Sequence, residues 1–102
     1  MPPLPPRDHR IPKDRARGMS RRYRDSLPVP RKHGACGCTF HADQVRQLLD
    51  QPGVKGLRIY LATESDGSPA IVLMGADANN NDMDGGMVLE LGFPCPPYCD
   101  EG

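Results

Sequence analysis

Gly56-Leu-Arg-Ile-Tyr-Leu-Ala-Thr63 and Ala70-Ile-Val-Leu-Met-Gly75 stand on either side of Glu64-Ser-Asp-Gly-Ser-Pro69. In the first run Leu57, Ile59 and Leu61 alternate with Arg58, Tyr60 and Ala62, the period of two that belongs to a strand. Asp66-Gly67 is a turn signal, so the two runs read as a β-hairpin. The second run is apolar on both faces, as a central strand is. An Asp/Asn/Gly loop then leads to a third apolar run, from Met87 to Leu91. Strands are thus predicted over 56–63, 70–75 and 87–91, an antiparallel meander.

Upstream, the pattern changes from strand to helix. Ala16, Met19, Tyr23 and Leu27 recur at steps of three, four and four, one face of a helix whose other faces carry Arg15, Arg17, Arg21, Arg22 and Arg24. Pro12 suits the first turn and Pro28-Val-Pro30 ends the pattern, so a basic amphipathic helix is predicted over 12–26. A second helix is predicted over 41–51. Phe40 and Val45 are placed to form a hydrophobic staple, Gln44 stands where a capping box would have it, and Pro52-Gly53 stops the element. The stretch 27–39 reads as a linker, 94–99 as a Cys-Pro tail, and 1–10 as a disordered, Pro-rich leader. The fold class expected is α+β. Residues 11–99 would form a small two-layer sandwich, with two helices packed on a three-stranded antiparallel meander.

At 102 residues the chain is one domain at most, and with two Phe and no Trp its core must be built from aliphatic side chains. Its net charge of zero hides an asymmetry. Residues 1–33 hold ten Lys/Arg against three Asp, a net of +7, and residues 34–102 hold three against ten acids, a net of −7. No stretch approaches the roughly 20 apolar residues of a membrane span, and the N-terminus lacks the apolar segment of a secretory signal. No membrane partner is expected. The compartment expected is the cytoplasm, where thiols stay reduced.

Leu48-Leu49, Gln51-Pro-Gly53, Gly56-Leu-Arg-Ile-Tyr60, Met74-Gly-Ala-Asp77, Asp82-Met83 and the closing Gly92-Phe-Pro-Cys-Pro-Pro-Tyr-Cys99 together resemble a family of small uncharacterised bacterial proteins. These share a Gly-(Leu/Ile)-Arg-Ile-Tyr strand, a Gly-x-Asp loop and a Cys-Pro-Pro-x-Cys tail. The resemblance covers about 40–99, with a weaker echo in the helix at 11–24. It implies fold boundaries and no activity. Cys36-Gly-Cys38 and the Pro-rich leader depart from the family pattern.

Chemistry could sit at four places. Cys36 and Cys38, with His33 and His41 three residues outside them, and Cys95 and Cys99 in the tail form two short-spaced pairs. Zinc takes four S/N ligands in a tetrahedron, so Cys36, Cys38, Cys95 and Cys99, with His33 or His41 as substitutes, are the candidate metal set; zinc is the one cofactor in view. The spacings are atypical for zinc, and a redox-active disulfide between Cys95 and Cys99 is the competing reading. The loop from Asp77 to Gly86 has calcium-like oxygen spacing at 77, 79 and 81. It lacks Gly at the sixth position and Glu at the twelfth, and reads as a solvated hairpin loop. The basic arm could contact nucleic-acid phosphates, but with one aromatic and no recognised motif it is better read as a solvated helix face. Arg58 and Tyr60, on one face of the first strand, are the candidate binding surface, unless Arg58 pairs with Glu90 across the sheet.

No nucleophile, base and orienting group can be assembled, and no phosphate-cradling glycine loop is present. The expected function is a non-catalytic protein-interaction module with an unidentified protein partner. The alternatives are a zinc-binding or thiol-redox-responsive protein using the four cysteines, and nucleic-acid binding through the arm.

Overall fold

A computed structural model of the chain describes residues 2–26, 37–95 and 97–98. In chain order the elements are α1 (Lys13–Ser26), β1 (Gly37–Thr39), α2 (Ala42–Leu49), β2 (Gly56–Thr63), β3 (Pro69–Ala76), β4 (Val88–Leu89) and β5 (Phe93–Cys95). The main sheet is antiparallel with order β2-β3-β4, and β1 and β5 form a separate antiparallel ribbon. The fold is thus a small α+β fold with two helices and a three-stranded meander, as its alternation predicts.

The β2–β3 hairpin is in continuous register from Gly56↔Ala76 to Thr63↔Pro69. Its turn is closed by the Glu64 N–H donating to the Ser68 carbonyl at 2.8 Å. Gly67 supplies a φ of 90°, a region open to glycine at no steric cost. Asp66 accepts from the backbone N–H and the hydroxyl of Ser68, which holds its carboxyl below the usual carboxylate range. In the following loop Asp77 Oδ1 accepts the N–H groups of Asn79 and Asn81, both at 2.9 Å. The expected hairpin loop is therefore built on its own aspartate.

Several boundaries move. The third strand, expected over 87–91, is ordered as strand only at Val88–Leu89. Leu91 takes a φ of 66°, which breaks the extended run. The second helix stops at Leu49 rather than 51, because Asp50 closes it with its N–H on the Arg46 carbonyl. His41 is the N-cap residue, but its side chain makes no capping hydrogen bond. The linker expected over 27–39 ends early, since Gly37, Cys38 and Thr39 pair with Cys95, Pro94 and Phe93. Both partners are three residues long, and one holds a proline, which is tolerated where its missing N–H faces no strand. Such segments carry no periodicity.

The buried core is small. Among the described residues Leu48, Leu73 and Ala76 are its buried apolar side chains. Eight residues at about 1.5 Å each make α2 only about 12 Å long, and it packs chiefly against β3 and β4. Gln51 completes the seam, donating to the Leu48 carbonyl at 2.9 Å and accepting the Met87 N–H at 2.7 Å. The edge strand β2 lies beyond this cover. Helix α1 has no buried residue, and its expected apolar stripe leaves Met19 and Tyr23 about half exposed.

Candidate functional site

Opposite partners on neighbouring strands share a face. Leu57, Ile59 and Leu61 therefore lie on the face of Gly75, Leu73 and Ile71, and Arg58 and Tyr60 lie on the face of Met74 and Val72. The second face is closed from within. Arg58 Nε donates to Asp82 Oδ1 at 3.0 Å, and its Nη2 donates to the Asn80 carbonyl at 2.8 Å and to Asn80 Oδ1 at 2.6 Å. The Tyr60 hydroxyl donates to the other oxygen of Asp82, and that bond holds the phenol above its ordinary pKa. The partners of Arg58 are thus Asp82 and Asn80, not Glu90. The isolated bridge Ala76↔Asp82 sets this carboxylate beyond β3, where both side chains reach it.

The first face is open. Leu57, Ile59 and Leu61 are 39%, 57% and 87% exposed, an apolar row along a whole strand. It runs into a cavity of about 570 Å³ between the end of the hairpin and the β1–β5 ribbon. Leu61, Ile71, Leu91 and Pro94 give the cavity its apolar wall, and Tyr23 of α1 borders it. Leu91 is 79% exposed and sits at positive φ, a conformation that costs a non-glycine residue about 1 kcal/mol or more. A strained, exposed leucine beside a cavity is a common feature of ligand-contacting positions. Glu64 and Glu90 also line it. The hydrogen bond that protonated Glu64 donates to the Glu90 carboxylate, together with that group's negative charge, holds Glu64 above the ordinary carboxylate range. The pair is a local excess of negative charge at an apolar opening.

Two of the cysteines lie near the same place. The register Gly37↔Cys95 and Cys38↔Pro94 sets Cys38 beside the strand that carries Cys95. Cys95 is disulfide-bonded, with a partner outside the described residues, and Cys38 is a free thiol. Burial pushes the Cys38 thiol up, away from the thiolate form that binds metal or attacks. A Cβ at Gly92 would come within 3.0 Å of Cys38 Sγ and within 2.8 Å of the Phe40 ring, so the ribbon closes on this glycine. His41 packs edge-on against Phe93, ring centroids 5.6 Å apart. Among the described residues no group of three or more His, Cys, Asp or Glu could hold a metal ion. Cys36, Cys99 and His33 lie outside the described residues.

The cavity was not legible in the sequence, because its wall is gathered from α1, β1, β2, β3, β5 and the β4–β5 connection. The one signal available, the Leu57/Ile59/Leu61 alternation, marks a core face in most sheets. Comparison with protein families, curated proteins and solved structures finds no match to this chain. Among the described residues no helix is long and apolar enough to cross a membrane.

Proposed function

We propose that the chain is a non-catalytic protein-interaction module, related to the small bacterial proteins whose tail it resembles. It binds through the open face of β2 and the cavity that this face runs into. The observation that carries this reading is the uncovered row Leu57, Ile59, Leu61, since exposed apolar surface continuous with a cavity marks a docking site. Arg58 and Tyr60, the surface expected from sequence, support the site from behind: their polar ends are committed to Asp82. The partner is a protein segment that inserts an apolar side chain into the cavity and carries positive charge toward Glu64 and Glu90.

A photo-reactive residue at position 61, with position 46 on α2 as the control, tests this in cells. One protein captured from 61 but not from 46, whose purified form then loses at least about tenfold in affinity for Leu61→Glu, is the expected outcome. Equal capture from both positions, or unchanged affinity in the variant, overturns it.

A second reading rests on the disulfide at Cys95. In the cytoplasm, the compartment proposed here, a disulfide is in exchange with the glutathione pool, so it would act as a redox-responsive clasp. Two thiols would give up two electrons and two protons to glutathione disulfide on closing. Reduction should lower stability by about 2 kcal/mol in urea unfolding. An unchanged midpoint would reject the clasp. Zinc is tested by metal content on the same reduced protein. Nucleic-acid binding through the arm is tested by the salt dependence of any binding and its loss on deletion of 1–33.

A further inference from the structure

The strand with the open face also has an open edge. β2 ends the order β2-β3-β4, and its eight residues contain no Lys and no Pro. Sheet edges are ordinarily protected by such residues, by charges pointing along the edge, or by a covering segment. Here the one charge of the strand is drawn the other way. Arg58 and Tyr60 both lean inward across β3 to reach Asp82; among the described residues Leu4 approaches the start of the strand at Gly56, and no charge of the strand itself guards the edge beyond it.

The residue order of β2 is self-complementary. In an antiparallel pairing centred on Ile59, Leu57 falls opposite Leu61, Arg58 opposite Tyr60, and Gly56 opposite Ala62. Lys55 falls opposite Thr63, so no like charges meet. Leucine falls opposite leucine on one face, and on the other Arg58 falls opposite Tyr60, so no like charges are brought together. A two-fold interface demands this of a surface: the same patch must fit itself.

We infer that two copies of this chain pair through their β2 strands, antiparallel and centred on Ile59, to form one six-stranded sheet. The pairing satisfies the backbone groups of both edges. It also sets the two rows Leu57, Ile59, Leu61 side by side on one face, doubling the apolar platform rather than consuming it. The inference rests on the reading of that face as a docking surface, and it names what lies beside it.

Sedimentation equilibrium from micromolar to millimolar concentration, with Cys38→Ser throughout to prevent intermolecular disulfides, tests it. The parent protein should move from one to two chain masses. Ile59→Lys and Ile59→Glu, placed at a residue 57% exposed, should keep the far-ultraviolet circular dichroism of the parent and raise the dimer dissociation constant at least about tenfold. An equimolar mixture of the two variants should restore the dimer, because position 59 would then meet the opposite charge. A single chain mass at every concentration overturns the inference while leaving capture from position 61 intact. A dimer indifferent to both variants, or variants that stay monomeric when mixed, overturns the proposed edge or its centre.

Discussion

Ile59 and Leu73 stand directly opposite one another on the β2–β3 ladder, on the same face of the same sheet, yet one is 57% exposed and the other 6%. The difference is one of position, not of residue type. Leu73 lies in the central strand, between Ile59 and Leu89, and that strand is one against which α2 packs. Ile59 lies one strand further out, about 4.8 Å away, where that helix no longer reaches. Alternation along a strand determines which residues share a face. Whether the face is covered depends on the size and placement of the second layer, and here that layer is one helix of eight residues.

The sharpest way to break this contrast is to truncate both sides of it. Leu48→Ala should cost about 3 kcal/mol in urea unfolding, the cost of a cavity in a small core. Leu61→Ala should cost about 0.5 kcal/mol or less, since that side chain is already in water. Similar losses in the two variants would mean that β2 is covered after all.

Next in size is Gly92→Ala. The added methyl would press on the Phe40 ring at 2.8 Å and on Cys38 Sγ at 3.0 Å. A loss of about 2 kcal/mol and faster reaction of Cys38 with a thiol reagent are expected, because overpacking must open the ribbon. Asp82→Ala tests the closed face of β2. It removes the ion pair to Arg58, whose side chain is 22% exposed, and the bond from Tyr60. About 1 kcal/mol should be lost, and ultraviolet titration should show one tyrosine returning toward the ordinary phenol pKa.

Leu91→Gly should raise stability by about 0.5 kcal/mol, since glycine takes a φ of 66° without strain. It should weaken partner binding at the same time. A variant that loses stability instead would show that Leu91 packs as a core residue.

The smallest effect concerns pH. Folded Glu64 keeps its proton to higher pH than unfolded Glu64, because Glu90 lies beside it. Well below 4.5 both states are protonated and the pair is neutral to stability. As pH rises past that value the unfolded chain releases its proton first, so stability falls until Glu64 itself ionises. Glu90→Gln should flatten that slope and leave the protein slightly more stable at neutral pH, as urea midpoints across the pH range would show.

The strongest sequence signals concerned elements made from neighbouring residues. The hairpin at 56–63 and 69–76 was legible because alternation, Asp66-Gly67 and strand length all agree over one short stretch. The two helices were legible from spacing, within a residue or two at each end. The candidate site was less so. Arg58 and Tyr60 were rightly set on one face, but their partner Asp82 is 22 to 24 residues away and nothing near them announces it.

By itself, the sequence determined the local elements, the faces within each strand, and the separation of a basic arm from an acidic body. These follow from backbone geometry and charge, which act over a few residues. Only the tertiary structure decided that Cys38 lies beside Pro94, that Asp82 ties down Arg58 and Tyr60, and that the row Leu57, Ile59, Leu61 is left open. Each depends on contacts between residues far apart in the chain and on how far one short helix can reach across a sheet, which no local pattern encodes.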